Sequence, residues 1–191
     1  MLTLGEVKYS IDTNGSEPVE KALRLLTDCF KHGGKLLVCG NGGSAADCEH
    51  IVAELMKGMN SGRLMYGMAP LQGALPAISL VSQVGLITAI LNDIGGDWIF
   101  AQQVYGYGKN EDALLAISTS GKSTNVIRAM EFAQRLRMYV IGLTGPTPSE
   151  HFVRHCDALI SCPGNTAAEI QEQHIKVYHE LCTRLEEEFF P

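Results

Sequence analysis

Two kinds of hydrophobic pattern alternate along the chain. Short continuous apolar runs fall at 36–39, 77–80, 113–117, 138–143 and 158–161. Between them, apolar residues return every three or four positions. Val19, Ala22, Leu23, Leu26, Cys29 and Phe30 have that helical spacing, with Pro18 suited to a first turn and His32-Gly33-Gly34 as the stop. Further helices are predicted from Ser44, over 84–91, from Asp97 as cap through Tyr105, over 124–136 with Val126, Ile127, Met130 and Ala133 on one face, and over 167–188. Runs that are apolar at every position suit strands covered on both faces. Strands and helices in alternation predict an α/β fold with a doubly wound, five-stranded parallel sheet. Residues 1–16 read as an N-terminal arm and 17–191 as one domain. Residues 59–75 lack periodicity and hold three Gly and a Pro, so they read as a loop long enough to carry a function.

A length of 191 residues fits one domain with a sizeable core. Hydrophobic residues make up 46% and charged residues 19%, which excludes wholesale disorder. The formal net charge of −6 gives no basic surplus, so no nucleic-acid partner is expected. No run approaches the ~20 apolar residues of a membrane span, and the N-terminus has no basic-then-apolar signal pattern. Six scattered cysteines without a Cys-x-x-Cys pair read as buried thiols in a reducing, cytoplasmic compartment, and neither a zinc finger nor a disulfide framework is expected.

In an open α/β sheet, ligands bind beyond the carboxyl ends of the strands. Two polar loops fall there. The first, Gly40-Asn41-Gly42-Gly43, leads into Ser44, which is placed to cap the next helix. His50 and Glu54 follow on one face of that helix, four residues apart. Such a pair can bind a metal or move a proton, or it can be a chance pair on a surface helix. The second loop, Ser118-Thr119-Ser120-Gly121-Lys122-Ser123, sets hydroxyls at the start of a helix, where the helix dipole and free N–H groups favour a phosphate. Ala116 stands where a nucleotide P-loop needs its first glycine, so a nucleoside triphosphate is not implied. On the last helix, Gln171, Ile175 and His179 lie on one stripe and His174 lies off it.

Four ordered stretches, CGNGGSAADCEHIVAEL, LNDIG, ISTSGKSTNVI and EIQEQHIKVYH, resemble the phosphoheptose isomerases of the sugar isomerase (SIS) domain superfamily. The resemblance runs from about residue 17 to the end. It implies a flavodoxin-like three-layer sandwich and the interconversion of sedoheptulose 7-phosphate and glycero-manno-heptose 7-phosphate through an enediol. It also implies roles for matching residues. Asn41, Gly42, Gly43, Ser44, Asn92, Asp93 and Gln171 would bind the sugar, and Ser118, Thr119, Ser120 and Ser123 its phosphate. His50, Glu54, Gln171 and His179 would hold one zinc, although their oxygen and nitrogen donors suit other divalent ions too. Glu54 and His179 would carry the protons. The resemblance further implies a homotetramer, for which the apolar residues of the first helix and loop 59–75 offer surfaces. Two positions depart from the family pattern: Gly58 and Glu169 stand where family members often carry arginine. The alternative is a non-catalytic SIS module that binds a phosphosugar or a protein such as a replication initiator. It has no need of Glu54 and His179 together.

Overall fold

Five parallel strands in the order β2-β1-β3-β4-β5 form the middle layer of the protein. The structure is a computed structural model and describes residues 17–59 and 71–191, so the arm and most of loop 59–75 lie outside the described residues. The strands are β1 (Leu36–Gly40), β2 (Ala77–Ser79), β3 (Ala113–Ser118), β4 (Tyr139–Thr144) and β5 (Ala158–Ser161). The helices are α1 (Glu17–Lys31), α2 (Gly43–Lys57), α3 (Val84–Asp93), α4 (Ile99–Tyr107), α5 (Thr124–Arg135), α6 (Glu150–Val153) and α7 (Ala167–Phe189). The expected five-stranded, doubly wound sheet is the one observed. Its strand order reverses direction between β1 and β3, and this is the crevice where such sheets bind ligands.

Alternation along each strand divides the core. Leu36, Val38, Leu115 and Ile117 pack with α1, α2 and α7 on one face of the sheet. Leu37, Cys39, Leu114 and Ala116 pack on the other, with Val126, Met130 and Phe152 of α5 and α6 and Val104 of α4. The six apolar residues expected on the first helix are all buried in the first of these layers. They are used within the chain and offer no surface to a second copy, which corrects that expectation. Fully burying one such aliphatic side chain contributes roughly 1.5–3 kcal/mol, so truncating Leu36 or Leu115 would cost a large part of a domain's net stability.

Several boundaries differ from the sequence reading. Ser44 does not cap α2. The chain turns one step earlier, with Gly42 as N-cap at φ 58°, and Ser44 is already helical and buried. Positive φ at that turn suits glycine. Asp97 does not cap α4 either: it lies in a 3-10 turn, Gly96–Trp98, that precedes the helix. Asn92 and Asp93 do not break the chain, because α3 continues through both, closed by Ile94 N–H donating to the Ile90 carbonyl. The short α6 has no counterpart in the periodicity. Ser149 caps it by accepting from Phe152 N–H. Glu169, the departure on the last helix, takes part in a capping arrangement: its carboxylate accepts from Asn165 N–H at 2.7 Å while Thr166 Oγ1 accepts from Glu169 N–H at 3.2 Å.

Candidate active site

The loops after β1 and β3 lie side by side because their strands are neighbours, with Gly40 in register with Ile117. A reciprocal amide pair joins them: Asn41 Nδ2 donates to Asn125 Oδ1 and Asn125 Nδ2 to Asn41 Oδ1, each at 2.9 Å. Asn125 also accepts from Val126 N–H, which fixes its rotamer at the start of α5. Ser118 and Ser123 hydroxyls are 3.0 Å apart across the second loop, and Ser120 Oγ accepts from Lys122 N–H. Gly121 at φ 59° makes the turn, and Pro148 closes the space a side chain there would need.

Helices α2 and α7 pack against each other beside these loops. Gln171 reaches the start of α2, where a Cβ on Gly43 would overlap its amide. One turn or more along the same helices, His50 stands between Glu54 and His179. His50 Nε2 is 3.2 Å from Glu54 Oε1 and 3.5 Å from His179 Nε2. His50 and His179 meet edge to face, with ring centroids 5.0 Å apart. His50, Glu54 and His179 therefore come together from positions far apart in sequence, while among the described residues no hydrogen bond ties Gln171 to them.

Two participants were not read from the sequence. Tyr178 Oη lies 3.0 Å from His50 Nδ1 and donates to Asp47 Oδ1 at 3.3 Å. Burial, and after it the charge of Asp47, hold the tyrosine proton on well above the usual phenol range. Burial also raises the Asp47 pKa, against the opposing pull of the Tyr178 hydrogen bond. Tyr178 thus backs the Nδ1 side of His50 and leaves Nε2 turned toward Glu54 and His179. Two imidazoles and a carboxylate are nitrogen and oxygen donors that fit a divalent metal. The signals for these two residues were slight: Asp47 precedes His50 by three and Tyr178 adjoins His179.

Asn92 and Asp93 stand apart. They are exposed at the end of α3, with Asn92 Nδ2 donating to Asp93 Oδ1, and among the described residues no hydrogen bond ties them to the two loops. His174, off the functional stripe as expected, is fully buried. Five of the six cysteines are buried and all six are free, with Cys29, Cys156 and Cys162 pushed up to about 12 by burial. Among the described residues no helix is long and apolar enough to cross a membrane. Among the described residues, the His/Glu group whose ligand atoms all lie within 4.8 Å of one another is Glu131, His151 and His155, which differs from the expected set.

Comparison with known proteins places the chain in a family. Residues 4–145 match the family model of the SIS domain. Phosphoheptose isomerase 1 of Campylobacter jejuni is 41% identical over 171 residues, covering 90% of this chain and 87% of that protein. The phosphoheptose isomerase of Shewanella denitrificans is 41% identical over 177 residues, covering 92% of this chain and 86% of that protein. The structure of phosphoheptose isomerase GmhA from Neisseria gonorrhoeae superposes with a TM-score of 0.80 at 37% identity, over 92% of this chain and 89% of that one. The chain belongs to the phosphoheptose isomerase family of SIS-domain proteins.

Proposed function

We propose that the chain is an aldose–ketose isomerase acting on a phosphorylated sugar, sedoheptulose 7-phosphate, and converting it to glycero-manno-heptose 7-phosphate. The observation that carries this reading is the convergence of His50, Glu54 and His179 from two helices beside a serine loop at the sheet's switch point. The serine loop and the N-terminus of α5 grip the phosphate. Asn41, Gly42, Gly43 and Ser44 present polar and backbone groups to the sugar, and the Asn41–Asn125 pair sets the distance between sugar and phosphate ends. Glu54 takes a proton from C1 of the ketose and a proton is returned at C2, while His179 moves a proton from O1 to O2 through the enediol. Positioned acid–base groups of this kind typically contribute 10²–10⁴-fold. His50, Glu54, Gln171 and His179 would hold the metal, zinc by preference for this donor set, and it would supply a Lewis acid for the carbonyl.

The assembly we propose is a homotetramer in the cytoplasm. Helix α3 supports it: Ile90 is its one buried residue, while Val84 and Leu91 are 70% and 54% exposed and Ile94, just beyond, is 50% exposed. An apolar helix left open in one chain suits an interface between copies. Burying α3 would carry Asn92 and Asp93 toward a neighbouring subunit, which accounts for their distance from the loops.

The test is incubation of the purified protein with a panel of ketose phosphates that includes sedoheptulose 7-phosphate, with and without a chelator, assaying for the aldose phosphate. Formation of the heptose aldose supports the proposal. Binding without turnover, with and without added divalent metal, would favour the non-catalytic module. Light scattering that found only a 20.7 kDa species would overturn the tetramer.

A further inference from the structure

On the opposite face of the sheet from His50 and His179, α5 and α6 bring together three residues that the isomerase reading does not use. Glu131 projects from α5, and His151 and His155 stand four residues apart on α6 and the turn that ends it. His151 Nε2 is 2.9 Å from Glu131 Oε1 and His155 Nε2 is 3.9 Å from the same oxygen. The two imidazoles lie edge to face with centroids 5.2 Å apart. We infer that Glu131, His151 and His155 form a second divalent-metal site, separate from the active centre and selective for a zinc-like transition ion.

The orientation of His155 carries the argument furthest. Gln134 Nε2 donates to the His155 carbonyl at 3.3 Å, so its Oε1 is the atom that meets His155 Nδ1, at 2.6 Å. An amide oxygen only accepts, so Nδ1 holds the proton and Nε2 is bare. A ligating histidine is commonly fixed in this way, by donating its other N–H to a neighbouring oxygen. The spacing of the histidines, His-x-x-x-His with a carboxylate from a second helix, supplies the three protein ligands of a zinc site that keeps a fourth position open. Tetrahedral zinc with bonds of about 2.0–2.2 Å sets its ligand atoms about 3.4 Å apart, between the two separations found here.

Two arginines bear on the site. Arg128 donates to Glu131 Oε2 at 3.0 Å and leaves Oε1 turned toward the histidines. A metal must displace two things: the proton that His151 Nε2 donates to Glu131 Oε1, and the N–H that Arg154 Nε donates to His155 Nε2 at 3.4 Å. Arg154 is exposed and its contact is long, so it acts as a removable cover on the His155 nitrogen. Two imidazoles and a single carboxylate select against calcium and magnesium, which prefer all-oxygen sites.

The test is equilibrium dialysis of the metal-stripped full chain against Zn²⁺ alone, counting bound equivalents in wild type, Glu131→Gln, His155→Ala and His50→Ala. The expected result is that Glu131→Gln and His155→Ala each bind one equivalent fewer than wild type, while His50→Ala keeps that equivalent. Glu131→Gln preserves shape and decides the matter if His155→Ala fails to fold. Arg154→Ala should tighten this equivalent about fivefold, because a hydrogen bond no longer has to be broken. Wild-type stoichiometry and affinity in Glu131→Gln would overturn the inference. A wild type that binds one equivalent, lost in Glu131→Gln and kept in His50→Ala, would support this site while removing the metal from the active-centre reading.

Discussion

Tyr178 Oη lies 3.0 Å from His50 Nδ1, on the side of the imidazole away from Glu54. The contact holds the ring so that Nε2 points toward Glu54 and His179. Groups that orient a metal-binding histidine from behind typically contribute 10–100-fold to metal affinity. Tyr178→Phe should therefore leave the fold intact and weaken metal retention by about that factor. Chelator competition monitored on wild type and variant checks it, and equal retention would mean that the relay is only packing.

Glu54→Gln keeps the volume and a metal-capable oxygen but removes the base. The expected outcome is a folded protein that still binds phosphosugar, with kcat lower by about a hundredfold or more. Wild-type turnover would remove Glu54 from the chemistry. His50→Ala should instead lose metal first, with activity partly restored by added metal.

The Ser118 and Ser123 hydroxyls bond each other in the structure, whereas Ser120 is exposed. A phosphate in this loop would exchange the first bond for stronger ones to its own oxygens. A hydrogen bond to a charged group contributes roughly 1.5–3 kcal/mol. The double variant Ser120→Ala, Ser123→Ala should then bind phosphosugar at least about tenfold more weakly, as measured by calorimetry. Unchanged affinity would place the phosphate elsewhere.

His174 gives a pH dependence that does not involve the active site. It is fully buried on α7, and burial lowers its pKa to about 4, which the neighbouring Thr144 carbonyl offsets only in part. The unfolded chain takes up this proton near pH 6.5, so the unfolded state binds more protons between the two values. Stability is full above the unfolded pKa and falls as pH drops from about 6.5 toward 4, by up to about 3 kcal/mol. Chemical denaturation across that range should show the loss, and His174→Leu should flatten the slope. An unchanged slope in the variant would assign the effect to other groups.

The strands were legible to within about a residue, because each is a short, mostly apolar run bounded by turn residues. Helix ends were less so. Asn92 and Asp93 look like breakers, yet one more turn of α3 absorbs them, and Ser44 looks like a cap although the turn at Gly42 had already started the helix. The pairs His50/Glu54 and Gln171/His179 were visible as spacings on separate helices. That His50, Glu54 and His179 meet was implied only by the family resemblance, because the spacings alone say nothing of α7 folding back across α2 over a separation of 129 residues. The Asp47–Tyr178 contact is tertiary for the same reason. Glu131 with His151 and His155 stayed hidden because α6 is a single short turn with no periodicity of its own.

The amide pair of Asn41 and Asn125 has a consequence for how specificity can change. Each side chain both gives and receives, so aspartate at one position turns a matched pair into one with an acceptor facing an acceptor. A substitution that moves Asn41 therefore shifts Asn125 and the second loop with it, so the two loops behave as a ruler with both ends fastened. On the proposed reading of the site, a new chain-length preference would come from paired changes at 41 and 125.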